Sequence, residues 1–284
     1  MFKQSNSGGF FMLSPNHYEK IKVETPEQYI EAVKNGYGFI TIRPELRREV
    51  FKLLEEQKDQ DDALLYKYAE FLEYGWGGVR NPAEAMKIYK DLVKRIKDAD
   101  AALALGVFYH ERGQTDEAAK YYTIAAEQGE REAQCNLGNI YEDGDEYAEA
   151  FHWYKSAADQ GSLPGLYNLS KVYAQGLVND EPDLEKAFEY MKKAAEGGFA
   201  WAQEDLARLY MNGEGITKNL EKAVEWFEKA AEQNMANSQY VLGLFYERGI
   251  ETIKGDFEKA KYWYTKAAEN GDEDAINWVK AHKK

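Results

Sequence analysis

The 284 residues predict an all-α chain, an α-solenoid of helix-turn-helix repeats with a small α+β module at its N-terminus. Three observations carry that expectation. The pair Ala-Ala recurs near the end of an apolar helical pattern at Ala125/Ala126, Ala157/Ala158, Ala194/Ala195, Ala230/Ala231 and Ala267/Ala268, a spacing of 32 to 37 residues. A unit of that length is too short to enclose its own core and must bury its apolar face on the next copy. A small residue (Gly106, Gly138, Ser170, Ala207 or Gly243) follows a stripe leucine in successive copies, and a tyrosine follows three residues later. The first helix of each copy then stops at a glycine, from Gly113 to Gly249.

The N-terminal stretch has a different grammar. Met1 to Ser14, with Gly8-Gly9 and Phe10-Phe11-Met12, is expected to start as flexible chain whose aromatics dock. Lys20 to Glu24 alternates like a strand, Thr25-Pro26-Glu27-Gln28 is a capping box, and Tyr29, Ile30 and Val33 give a short helix closed by Asn35-Gly36. Gly38 to Arg43 reads as a second strand and Pro44 to Glu56 as a helix. Residues 1–60 therefore form a strand-helix-strand module, which serves either as a cap on the first repeat or as a recognition element with a strand edge to offer.

From residue 61 onward each unit holds two helical patterns. In the third copy Ala133, Leu137, Gly138 and Tyr141 fall on one stripe. Glycine inside a helix costs about 1 kcal/mol relative to alanine, so its recurrence calls for a close helix contact in return. Asn81, Asp183, Asn219 and Asp256 stand where a side chain caps the second helix. The stripe alanines Ala85, Ala118, Ala150, Ala187, Ala223 and Ala260 follow, and aromatic pairs such as Trp153/Tyr154 and Trp263/Tyr264 come three and four residues later. Second helices end at Gly129, Gly161, Gly198 and Gly271, with Asn234 in the fifth copy, a residue that tolerates the left-handed region. Residues 273–284 provide a single helix with Ala275, Trp278 and Val279 inward, a capping half-repeat.

The pattern Ala-x-x-x-Leu-Gly-x-x-Tyr, then Gly-x-Gly, then Lys-Ala-x-x-Trp-Tyr-x-Lys-Ala-Ala resembles the Sel-1-like repeat (SLR), a relative of the tetratricopeptide repeat. Six copies cover about three quarters of the chain, roughly residues 62 to 272. The first copy departs from the pattern, with Tyr68-Ala69 and Leu92-Val93 in place of Leu-Gly and Ala-Ala, and the second and third have shortened turns. The resemblance implies a right-handed solenoid and a non-catalytic scaffold or adaptor, often bacterial, that binds a protein or peptide on its concave face. The alternative function is an immunity-type inhibitor that covers and blocks a toxin or effector.

Composition narrows the partner. A formal net charge of −14 argues against a nucleic-acid groove or an anionic membrane surface. Residues 1–60 hold nine basic and nine acidic side chains, so the acidic surplus lies entirely in residues 61–284. Cys135 is the single cysteine, which excludes an internal disulfide and fits a reducing compartment. No signal-peptide core or membrane span is apparent, so the chain is read as a cytoplasmic monomer. No cofactor, metal or catalytic set is expected. His17, His110, His152 and His282 are scattered, and Gly213-Glu214-Gly215 and Gly75-Trp76-Gly77-Gly78 lie between helices without a phosphate-loop context.

Positions where the copies disagree are free to specify a ligand. Residues two before and two after the stripe leucine are expected to project from the first helices onto the concave wall. Asn139, Lys171 and Arg208 then form a polar, locally basic ladder, in kind like a clamp for a peptide carboxylate. Tyr167, Trp201 and Tyr240 add aromatic anchors, and Arg248 reaches the same wall. The competing reading is that Lys171 and Arg208 neutralise Glu204 and other nearby acids.

Overall fold

A computed structural model describes residues 2–4, 10–12, 20–37, 39–78, 80–178, 181–250 and 254–282. Two short strands, β1 (Phe2–Gln4) and β2 (Phe10–Met12), pair antiparallel with Phe2 opposite Met12, where a flexible start was expected. The rest of Met1 to Ser14 lies outside the described residues. Next, β3 (Lys20–Lys22) and β4 (Phe39–Thr41) pair in parallel around α1 (Pro26–Lys34), which is the expected strand-helix-strand module. The Thr25 hydroxyl caps α1 and Gln28 returns the bond, completing the capping box. The helix expected from Pro44 divides into a 3-10 turn, Pro44–Leu46, and α2 (Arg47–Gln57).

The repeats follow as helix pairs: α3 (Asp62–Tyr74) with α4 (Pro82–Ile96), α5 (Ala99–His110) with α6 (Thr115–Ala126), α7 (Arg131–Asp143) with α8 (Tyr147–Asp159), α9 (Leu163–Gln175) with α10 (Leu184–Glu196), α11 (Ala200–Asn212) with α12 (Leu220–Glu232), and α13 (Ala236–Arg248) with α14 (Phe257–Glu269). A last helix, α15 (Glu273–Ala281), packs on α14. The chain divides into two compact units, Met1–Gln128 and Gly129–Lys284. In the first, Tyr29 of α1 meets Phe71 edge-on and Phe51 of α2 stacks on Tyr68, so the N-terminal module packs against the first repeat. Gly77 belongs to the same contact. A methyl group on it would lie 2.4 Å from the Phe51 side chain, so the Gly75 to Gly78 turn serves packing.

In three hairpins the recurring glycine lets a tyrosine ring of the second helix come close against the first. A methyl group on Gly106 would stand 2.4 Å from the Tyr122 ring, one on Gly138 2.5 Å from Tyr154, and one on Gly243 2.7 Å from Tyr264. Where the partner is Met191 or Phe227 the small residue is Ser170 or Ala207 instead, and all four are buried. A buried phenol must also place its hydroxyl. Tyr89 donates to Glu73 (3.0 Å), Tyr154 to Glu142 (2.6 Å) and Tyr264 to Glu247 (2.9 Å), each acceptor lying four residues beyond the small position. In the two copies without a hydroxyl there, the equivalent residues are Ala174 and Met211.

The helix ends behave as the sequence implies, with one displacement. Asn81, Asp183, Asn219 and Asp256 accept a backbone N–H at 2.9–3.2 Å and cap the second helices. In the last three copies the same cap residue donates its own N–H to the repeat tyrosine's carbonyl, at Tyr173, Tyr210 and Tyr246. Lys186, Lys222 and Lys259, three residues past those caps, lie over the rings of the same tyrosines at 4.9–5.2 Å. Asn234 adopts φ +65°, as expected of the residue replacing a terminal glycine. Gly144, expected as a left-handed stop, has φ −91°; the left-handed residue is Asp145 at +59°, because the shortened turn of that copy closes one residue later.

Successive copies in the second unit are joined by buried amides. Gln203 donates to the carbonyl of Ala195 (3.1 Å) in the preceding copy and accepts from Gln233 (2.8 Å) in its own. Gln239 repeats the arrangement with Ala231 (2.8 Å) and Asn270 (2.9 Å). These glutamines stand three residues before the stripe leucine, and the fourth copy, with Leu166 there, has Gly197 where the others have Gln or Asn.

The hairpin contact leads to a first prediction. Gly138→Ala forces its methyl group into the Tyr154 ring and is expected to cost about 1–3 kcal/mol of unfolding free energy. The double variant Gly138→Ala with Tyr154→Leu recovers part of that loss. Urea unfolding of both variants beside the parent checks it.

Candidate partner-binding surface

In the second unit the first helices of consecutive repeats are tied edge to edge by their side chains. The Asn168 amide of α9 donates to Asn139 Oδ1 of α7 (3.0 Å), and that oxygen also lies 2.7 Å from the Tyr154 hydroxyl. The Tyr167 hydroxyl of α9 donates to Asp205 of α11 (2.8 Å). Ser238 of α13 donates to Glu204 of α11 (2.6 Å). The strip so formed across α7, α9, α11 and α13 carries the expected binding residues.

The structure places them as follows. Asn139 is exposed but engaged by Tyr154 and Asn168. Tyr167 is half-buried, and burial followed by its bond to Asp205 pushes the phenol well above its ordinary pKa. Lys171, with 40% of its side chain exposed, lies 4.0 Å from Glu142. Arg208 grips Glu204 (2.6 Å) and Asp205 (3.2 Å). Tyr240 is half-buried and tilts against Tyr264, with ring centroids 5.7 Å apart. Arg248 is exposed, close enough to Tyr240 to oppose the upward shift that burial gives that phenol. Trp201 is 57% exposed.

Charge on this strip is therefore already balanced or negative around α11. Glu204 is 2% exposed, and a carboxylate so deeply placed requires full hydrogen-bonding compensation, which Arg208 and Ser238 supply. Arg208 is the structural counter-ion of Glu204 and Asp205 before it is anything else. The expectation that residues two before the stripe leucine face the wall is corrected at two copies. Cys135 and Glu204 are both buried, because each has its polar atom satisfied by a serine, Ser162 (3.4 Å from Sγ) or Ser238. No signal short of that serine pairing would reveal it.

Other side chains offer little chemistry. Among the described residues no group of three or more His, Cys, Asp or Glu could hold a metal ion, and no helix is long and apolar enough to cross a membrane. His282 stacks on Trp278 (centroids 4.0 Å apart), His152 meets Trp153 edge-on and His110 tilts against Tyr122, while His17 lies outside the described residues.

With this geometry in hand, the comparisons with known proteins are specific. The Sel1 repeat family model matches residues 63–90, 99–130, 131–162, 163–199, 202–235 and 236–272. The chain belongs to the Sel1 repeat family. A Sel1 repeat protein from Oxalobacter formigenes superposes with a TM-score of 0.74 at 28% identity, over 90% of this chain and 75% of that one. A protective antigen of uropathogenic Escherichia coli with an SLR fold, c5321, gives 0.54 at 25% identity, over 88% of this chain and 65% of the other. The immunity protein PA5088 from Pseudomonas aeruginosa gives 0.50 at 18% identity, over 72% and 81%, a likeness of fold. No curated protein matches the chain significantly in sequence.

Burial governs the thiol. Cys135 is 6% exposed and burial pushes its pKa up, so little reactive thiolate forms near neutral pH. A chromogenic disulfide reagent is expected to leave the folded protein untouched and to titrate one thiol once denaturant is added. Rapid modification in native buffer contradicts this placement.

Proposed function

We propose that this Sel1-repeat protein is a non-catalytic scaffold or adaptor that captures a protein or peptide on the first-helix strip of α7, α9, α11 and α13. It acts as a cytoplasmic monomer and needs no nucleic acid, membrane or cofactor. One observation carries the reading. Positions that build the hairpins repeat from copy to copy, whereas Asn139, Lys171 and Arg208 hold one register with three chemistries, beside an exposed Trp201. Packing engages Asn139 and Arg208 but leaves Lys171 half-exposed and Trp201 exposed, and it is this pair that recognition can use. Tyr167 and Tyr240 lend half-buried aromatic surface to the strip, and Arg248 a charge at its α13 end.

A second reading, an inhibitor that covers a toxin or effector, is favoured by the acidic surplus confined to residues 61–284, which suits a basic target. Growth rescue on co-expression with the product of the neighbouring reading frame separates it from a general adaptor.

Arg208 is a poor site for a test, since Arg208→Glu sets a third carboxylate beside Glu204 and Asp205 and is expected to lower the thermal melt. Lys171→Ala combined with Trp201→Ala and Arg248→Ala changes only exposed or half-exposed groups. Affinity purification with mass spectrometry is expected to lose the partner with this triple variant and to keep it with Lys192→Glu on α10. Equal recovery by both variants, with unchanged melts, removes the proposal.

A further inference from the structure

Among the described residues, aromatic rings left at the surface commonly have a cation or another ring beside them. Lys229 lies 3.9 Å over the Trp226 ring, Lys193 5.3 Å over Tyr190, and Arg47 5.6 Å over Trp76. Exposed rings without a cation meet another ring, edge-on as Tyr262 does with Trp263 or tilted as Phe257 does with Trp278. Trp201 is the exception among the described residues. It is 57% exposed, with neither a ring nor a cation against it and no part in the apolar clusters.

What lies beside Trp201 is acid. Residues three and four apart on a helix share a face, so Asp205 stands one turn along from the indole, with Glu204 next to it. Elsewhere in the fold a lysine three residues along the helix lies over an indole, as Lys229 does over Trp226. The corresponding place after Trp201 is Glu204, whose charge Arg208 and Ser238 already occupy. Asp205 bonds Tyr167 and Arg208 through separate oxygens and keeps 30% of its side chain exposed. One guanidinium faces two carboxylates, so a negative charge is left over beside an unroofed ring.

We infer that Trp201 and Asp205 seat a cationic side chain, lysine or arginine, carried by the bound partner segment. This rests on the first-helix strip being the binding surface and gives its partner a chemistry, a basic peptide segment in place of the carboxylate that a basic ladder would have chosen. The ring face attracts the cation, and the carboxylate supplies the counter-charge. The net charge of −14 draws such a segment in from a distance.

Three synthetic peptides, alternating alanine with lysine, glutamate or glutamine, test it on the full chain by calorimetric titration at low salt. The lysine peptide is expected to bind, and Trp201→Ala to weaken it about three- to tenfold. Trp201→Phe weakens it less, and Asp205→Asn weakens it while thermal melts report an intact fold. Tyr262→Ala, which removes an equally exposed ring on α14, leaves it unchanged. If Trp201→Ala and Tyr262→Ala are indistinguishable, if the lysine peptide does not bind, or if the glutamate peptide binds tighter, the inference falls. The surface itself is judged separately. Should Trp201→Ala lose the partner captured by affinity purification while leaving lysine-peptide binding untouched, the strip stands and only the cation is wrong. Should capture also survive the triple variant, the strip fails as well.

Discussion

Close approach between a small residue on the first helix and a ring on the second is the contact on which the rest of the fold depends. Gly138 against Tyr154 and Gly243 against Tyr264 leave no room for a methyl group, so the two helices of a hairpin are held at a distance set by the thickness of a ring. That separation fixes where the hydroxyl emerges, and an acid four residues beyond the small position receives it. Where the tyrosine gives way to Met191 or Phe227 the acid is absent, and the second copy, which keeps Tyr122, has His110 at that place, so tyrosine and acid are paired in three copies.

Hairpins so defined stack through polar contacts as well as apolar ones. Gln203 and Gln239 each reach the last turn of the preceding second helix and hold a side chain of their own copy. Fully satisfied buried amides of this kind specify how one copy is set against the next, since any slip would strand a donor. The tyrosine with its roofing lysine and capping residue does the same for the inter-helix turn in the last three copies.

Function then falls to what the packing does not consume. Arg208 looks available along its helix, yet Glu204 beneath it is buried and needs its charge. Lys171 has a distant acid at 4.0 Å and the Tyr167 ring 5.9 Å away, and Trp201 has no partner among the described residues. A surface that reads as basic in sequence is thus balanced or slightly acidic in space, with one unsupported indole at its centre. That inversion redirects the partner's chemistry from anionic to cationic.

Much of the fold was legible from residues alone. The repeat, the stripe, the caps at Asp183, Asn219 and Asp256 and the left-handed Asn234 all follow from local periodicity and backbone sterics, which act over a few neighbouring positions. The shift of the third copy's turn from Gly144 to Asp145, the burial of Cys135 and Glu204, and the locking of Arg208 were decided only by tertiary structure. Cys135 and Glu204 depend on Ser162 and Ser238, 27 and 34 residues away, whose distance no local pattern encodes, and Arg208 is committed to its neighbours three and four residues back because Glu204 is buried. Sequence determined where every side chain stands on its helix; contacts between helices decided which of them remain free to bind.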